Sequence, residues 1–293
     1  MIYKFIDDHR KRWPVELMCN ILEISASGYY HYRKHGEGKR ELKKQALRYQ
    51  ITEVYFQAHQ RYGSPRIAKE LTQLGYRVSS VTVAKRMKEI GLRSKLSKKF
   101  KVTTDSKHKE PIAENILDRN FIAVEPGQKC VSDITYNQTI EGFIYLTTVI
   151  DLFDRKIIGW SLSDSMKTID TVLPAIKMAC TNRLLKQGMI FHSDRGVQYC
   201  CKETVNYIKS YKFIQSMSRK GNCWDNAVAE SFFKSFKSEL IYGNKLKPKE
   251  QMKLDVFEYI ECWYNKSRRH SALQNQTIDE FNNNKPNFNK SVA

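Results

Sequence analysis

Apolar residues recur at helical spacing up to Gly91 and at strand spacing from residue 128 onward, so the pattern predicts a helical region followed by an α/β region. Residues 1–35 read as a short helical piece ending in Ser25-Ala26-Ser27-Gly28-Tyr29-Tyr30. Leu47, Ile51, Val54 and Tyr55 share one face of a helix over 41–60. Ser64 is expected to cap the next helix, with Pro65 at its first position and Ile67 and Leu71 as its apolar residues, up to Gly75. Val78-Ser79-Ser80 starts another, with Val81, Val83 and Met87 as its apolar residues. Two short helices joined by a turn outline a helix-turn-helix. The bland alternative is a helical hairpin that merely packs. Lys85, Arg86 and Lys88 favour DNA binding, and Arg66 joins them as a candidate contact.

Strand-like runs follow at 129–136, 143–152 and 156–162, joined by short turns, which predicts an antiparallel meander. A helix over 168–185, a strand over 188–192, a helix over 202–210 and a strand over 212–216 come next. A loop from Ser218 to Trp224 leads into a helix over 225–241, and a last helix spans 249–266. This order is a mixed α/β domain. The Asn-rich end is expected to be poorly ordered.

Charge adds a partner. The net charge is +19 over 293 residues, which calls for a polyanion. The first 120 residues carry 26 Lys+Arg against 13 Asp+Glu, a net of +13. Lys98, Lys99 and Lys101 stand in an aperiodic stretch expected to be a basic linker lying along phosphates. No apolar run is long enough to span a bilayer, and early charges exclude a signal peptide, so nucleic acid is the better partner than a membrane. Seven scattered cysteines form no disulfide framework and suit a reducing compartment. His31 and His35 have a zinc-ligand spacing without the cysteine pair that should accompany it.

Three carboxylates change the picture. Asp133 interrupts an apolar strand, Asp194 ends the fourth strand, and Glu230 lies in the 225–241 helix. Each alone reads as an ordinary surface or turn acid. Together, two strands and a helix offer one carboxylate each to a shared edge, where ligand sites of α/β sheets gather. Clustered carboxylates repel unless a cation neutralises them, and Mg²⁺ takes such oxygens. A pair of ions can hold the attacking and leaving oxygens of a phosphoryl displacement. His192 reads either as a packed strand histidine or as a proton partner. Asp151 reads as structural, pairing with Arg155.

At these residues the chain resembles the OrfB-type transposases of the bacterial insertion-sequence-three family, relatives of retroviral integrases. The motifs are Ser132-Asp133-Ile134-Thr135-Tyr136, His192-Ser193-Asp194-Arg195-Gly196-Val197-Gln198-Tyr199 and Gly221-Asn222-Cys223-Trp224-Asp225-Asn226-Ala227. Thirty-five residues separate Asp194 from Glu230, the family's spacing. Residues 17–33, His59 to Ile67 and Tyr264-Asn265-Lys266-Ser267-Arg268-Arg269-His270 extend the resemblance over nearly the whole chain. Cys130 stands where a Trp is usual, and Ile278 where a Pro usually follows Thr277.

The resemblance implies an RNase H-like catalytic core over 125–245, after a helical DNA-binding region (1–91) and a basic linker (92–124), and before a C-terminal helix and polar tail (246–293). It implies that Asp133, Asp194 and Glu230 hold two Mg²⁺ ions, with Mn²⁺ able to substitute. A metal-bound water would free a 3′-hydroxyl at the element end, and that hydroxyl would attack a second phosphodiester. Lys237, seven residues after Glu230, falls where the family carries a residue touching the DNA end. The expected partners are the element's terminal repeats, target DNA, an OrfA protein or an OrfAB fusion, and further copies of the chain on DNA. The chain starts with Met and shows no heptad run, so it is expected to be OrfB alone, in the bacterial cytoplasm at the nucleoid. The rival readings are another RNase H-fold nuclease and a DNA-binding repressor or decayed transposase.

Overall fold

The computed structural model describes residues 2–36, 38–94 and 111–284, in two compact units that divide after Ser94. The first unit is helical: α1 (Ile2–His9), α2 (Val15–Ile21), α3 (Ala26–His35), α4 (Lys39–Gln57), α5 (Ser64–Gln73) and α6 (Ser80–Glu89). Ile6, Met18, Cys19 and Tyr29 form the core of α1–α3. The Ser25 side chain accepts from the Gly28 N–H and caps α3. The segment expected to end a helix therefore begins one, because a serine before a helix satisfies otherwise orphaned donors.

Ile51, Val54 and Tyr55 of α4 are buried, as are Ile67 and Leu71 of α5 and Val83 and Met87 of α6. Two corrections arise here, at the cap of α5 and at Val81. Gly63, not Ser64, occupies the cap of α5, and Ser64 is the first helical residue. Ser79 caps α6 by accepting from the Thr82 N–H. Val81 is 77% exposed, because the 3.6-residue period that buries Val83 and Met87 turns it outward.

The second unit is built on one sheet: β1 (Lys129–Thr139), β2 (Gly142–Asp151), β3 (Ile157–Ser163), β4 (Ile190–Ser193) and β5 (Ile214–Met217). Their spatial order is β3-β2-β1-β4-β5. The first three strands form the antiparallel meander, and β4 and β5 run parallel to β1. Between them lie α7 (Val172–Asn182), α8 (Val197–Cys200) and α9 (Lys202–Ser210). Cys130, Val149, Ile158, Ala175, Phe191 and Tyr199 are buried in a core of strand and helix residues. The α7 backbone approaches β3 so closely that a Cβ at Gly159 would lie 2.1 Å from the Ala175 carbonyl oxygen.

A 3₁₀ turn (Cys223–Asn226) opens into α10 (Ala227–Phe236). The helix expected to run on to 241 changes at Lys237 into a wider π-type turn (Lys237–Ile241). The last long helix divides in the same way, into α11 (Lys249–Phe257) and a π-type stretch (Glu258–Ser267). Buried Glu239 explains both: it accepts from Tyr259 Oη at 3.0 Å, Trp263 Nε1 at 3.1 Å and Arg268 Nη2 at 2.9 Å.

The tail expected to be poorly ordered is structured as far as residue 284. Asn265 bonds both the N–H and the C=O of Ile157 on the edge strand β3. Arg269 pairs with Glu280 at 2.8 Å. A short 3₁₀ turn (Ser271–Leu273) precedes α12 (Ile278–Asn283), which Thr277 and Glu280 close with a reciprocal capping box. Ile278 is 1% exposed, so burial accounts for it where a Pro was usual.

Residues 111–124, expected to be linker, also pack in this unit. Leu117 and Ala123 are buried, and the Ile116 and Leu117 N–H groups donate to Ser216 Oγ.

Candidate active site

The parallel pairing of β1 with β4 sets Val131 opposite His192. Two residues further along stand Asp133, in the middle of β1, and Asp194, just past the carboxyl end of β4, and the charge of Asp194 acts on Asp133. Ligand sites of α/β sheets form at such ends. Each carboxylate is oriented by local backbone. The Ile134 N–H donates to Asp133 Oδ1 at 2.8 Å, and the Gly196 N–H donates to Asp194 Oδ1 at 2.9 Å. A Cβ at Gly196 would crowd that same oxygen at 3.0 Å, so a glycine there keeps the donor close without strain.

Burial, then the charge of Asp194, pushes the Asp133 carboxyl well above its usual range. The Ile134 N–H opposes the shift, Glu230 adds to it and Lys237 counters it. Two hard oxygen ligands that repel each other make a donor set suited to a divalent cation.

Glu230 sits in the first turn of α10 and is half-buried, and burial raises its carboxyl. Among the described residues no group of three His, Cys, Asp or Glu side chains is placed to hold one metal ion. Glu230 thus acts on Asp133 through charge without closing a three-ligand cluster.

The start of α10 is fixed with care. Asn226 Nδ2 donates to the Ser132 carbonyl at 3.2 Å, tying the helix to β1 beside Asp133. Fully buried Asp225 accepts from Arg219 Nε and Nη2, from the Arg219 N–H, from Arg119 Nε and from Asn115 Nδ2. Those bonds, led by Arg219, hold its carboxyl far below the usual range. Sequence reasoning quoted Asp225 and Asn226 within a motif without giving them a role. The signal available was an acid and an amide just before a helix, which reads as capping.

Lys237 does not continue the α10 face as an ordinary helical residue, because the π-type turn begins there. Its Nζ lies 5.5 Å from the centre of the Tyr136 ring on β1. Burial lowers its pKa, and the charge of Asp133 works against that. His192 is buried between Ser216 and Ser218, at 2.9 and 3.2 Å, and burial lowers it to about 4. It is a packed strand histidine. Asp151 is structural, but its partner is Arg183, at 2.5 Å, not Arg155. Arg155 is the turn residue whose backbone N–H donates to the Asp151 carbonyl.

In the helical unit Lys85 is exposed. Arg86 is paired with Glu89 at 2.6 Å, and Arg66 lies 5.5 Å over the Tyr62 ring. Lys98, Lys99 and Lys101 lie outside the described residues.

Comparison with known proteins gives three matched segments. Residues 123–223 and 230–285 match two families described as integrase core domain, and residues 41–100 match an HTH-like domain. The chain is 39% identical over 285 residues to "Transposase InsF for insertion sequence IS3A" of Escherichia coli K12, covering 97% of this chain and 99% of that one. It is 36% identical to a 31 kDa protein of insertion element IS600 from Shigella sonnei, covering 88% and 94%. Among solved structures, the HTLV-2 integrase catalytic core in complex with magnesium aligns at 13% identity and a TM-score of 0.41, covering 54% of this chain and 98% of that one. The near-complete match to InsF shows the family: the chain belongs to the insertion-sequence-three transposases, DNA-recombining enzymes with an RNase H-like integrase core and a helix-turn-helix region.

Proposed function

We propose that Asp133, Asp194 and Glu230 are the catalytic, metal-holding carboxylates of this transposase. The observation that carries the reading is the placement of Asp133 on β1 beside Asp194 just past the end of parallel β4, where burial, then the charges of Asp194 and Glu230, raise the Asp133 carboxyl. The group they fit is a divalent cation, Mg²⁺ with Mn²⁺ as substitute, at two ions per site. Bound there, it supplies Lewis-acid stabilisation of the attacking and leaving oxygens of a phosphodiester.

The chain's own residues do the rest. The Ile134 and Gly196 N–H groups aim the two aspartates. The Asn226 and Asp225 contacts hold the first turn of α10, and with it Glu230, next to β1. Lys237 presents a cation on the same side, suited to a phosphate of the DNA end. In the first step a water oxygen would bond to the phosphorus at the element end as the P–O3′ bond breaks, which leaves a free 3′-hydroxyl and a 5′-phosphate. In the second, the hydroxyl oxygen forms a new bond to a target phosphorus as the old phosphodiester bond breaks.

Lys85, Arg66, Arg86 and the stretch containing Lys98, Lys99 and Lys101 contribute to DNA contact. Lys85 is the exposed one among the described residues of that set, and Arg86 must give up Glu89 to take part. Terminal repeats and target DNA are the substrates. An OrfA protein or an OrfAB fusion, and further copies of this chain, complete the assembly.

The test is Asp133→Asn, which keeps size and removes charge. Cleavage and joining of DNA carrying the element ends should fall at least about a thousandfold, roughly 4 kcal/mol of barrier. DNA binding should survive. Wild-type cleavage by this variant in Mg²⁺ sinks the assignment.

A further inference from the structure

Beside the paired aspartates the second unit has a cleft of about 420 Å³. That is within the range of about 300–1,000 Å³ typical of small-molecule sites. Asp194 and Gly196 form one wall, so the cleft opens directly onto the carboxylate site. Apart from Thr135 and Gln198, the remaining lining is aromatic and apolar, with Tyr136, Phe143, Met166 and Val197 prominent. These four are 40%, 46%, 47% and 44% exposed. Water-facing aromatic rings cost solvation unless something covers them in use.

The rings are ordered by the sheet. Tyr136 on β1 and Phe143 on β2 are diagonal neighbours across the antiparallel pair, because Tyr136 faces Tyr145 and Gln138 faces Phe143. Their centroids lie 5.3 Å apart at an interplanar angle of 85°. Lys237 Nζ stands 5.5 Å from the Tyr136 ring centre. The cleft wall therefore carries the Asp194 carboxylate and aromatic faces, with the Lys237 cation beside one ring. A flat heteroaromatic ring attached to a phosphodiester matches all three: the base stacks, the phosphate meets the lysine, and the next phosphate reaches the aspartates.

We propose that this cleft receives an unpaired base of the DNA substrate next to the scissile phosphate, stacked on one of the Tyr136 and Phe143 rings with its edge against the other. This rests on the carboxylate reading for what lies next door, but not for the stacking itself. Stacking on aromatic side chains tolerates any base, since each has a π-face. The cleft therefore favours frayed or single-stranded DNA at the cut over fully paired DNA, without imposing a sequence.

The probe is a short single strand carrying 2-aminopurine, whose fluorescence is quenched when it stacks, compared with the same strand in full duplex. The full-length chain should quench the single strand, and Tyr136→Phe should retain the quench. Tyr136→Val with Phe143→Val keeps residues that strands favour and removes the rings. It should lose the quench and about tenfold in single-strand affinity, with duplex affinity unchanged. An unchanged quench, or an equal loss for duplex, overturns the proposal. Should the double variant fail to fold, iodouracil cross-linking of the unaltered chain decides: adducts at Tyr136 or Phe143 support it, and adducts elsewhere overturn it. Asp133→Asn separates the two readings. Full cleavage by Asp133→Asn together with a quench that depends on the rings removes the carboxylate assignment and leaves the cleft standing. Lost cleavage with a ring-independent quench does the reverse.

Discussion

Asp151 and Asp154 share Arg183, Glu239 holds Arg268, and Asp225 holds Arg119 and Arg219, whereas the charges acting on Asp133 include those of Asp194 and Glu230. These acids belong to one unit and are all at least half-buried. Burial raises Asp154, but its bond to Arg183 brings it below its ordinary value. Asp151 stays above because burial outweighs the shared arginine. Asp133 is driven up by burial and then by its acidic neighbour. A buried acid that serves architecture is supplied with its own cation. Asp133 is instead aimed by a backbone donor and set against a second acid, an arrangement that a divalent cation would relieve.

The comparison breaks first if the two sets respond alike to losing charge. Arg183→Leu leaves two buried carboxylates without their guanidinium and should cost about 3–5 kcal/mol, read from the urea midpoint. Asp133→Asn in the absence of metal should cost nothing or stabilise, because it removes repulsion. Equal destabilisation by both would mean that Asp133 is one more structural acid.

Asp225→Asn should cost about 1.5–3 kcal/mol, as expected for hydrogen bonds to a charged group. Its folded carboxyl lies below its unfolded value. The stability it contributes is therefore complete above about pH 4 and is lost as pH falls through the unfolded and then the folded value. Acid titration of unfolding should show a shallower slope in the Asn variant, and identical slopes would remove Asp225 from the acid-sensitive set. Lys237→Ala is the smallest expected effect. Folding should be unchanged, while end cleavage falls about tenfold, roughly 1.4 kcal/mol of barrier. Wild-type cleavage would reduce this lysine to surface charge.

Much of this frame is legible in the chain. The strand runs, the turns at Glu141-Gly142 and Phe153-Asp154-Arg155, Asp133 within a strand and Asp194 just past one follow from local alternation and short spacing. What stayed hidden depends on distant partners. Asp151 lies four residues from Arg155 and thirty-two from Arg183, and burial, not proximity in sequence, selected the latter. Residues 111–124 look like linker because they continue a basic, aperiodic stretch, but Leu117 and Ala123 are buried and Asn115 and Arg119 bond Asp225. The π-type turns at Lys237 and Glu258 carry no periodic signal, since they answer to the cluster around Glu239. The ordered tail likewise depends on Arg269 meeting Glu280 and Asn282 meeting Asp154.

The amide of Asn265 has a consequence for the edge of the sheet. β3 is an outer strand of the sheet, and an outer strand's bare N–H and C=O groups invite a stranger's strand to add on. By taking both backbone groups of Ile157, Asn265 plays the part of that stranger in advance. A single side chain thereby blunts one route to uncontrolled sheet growth.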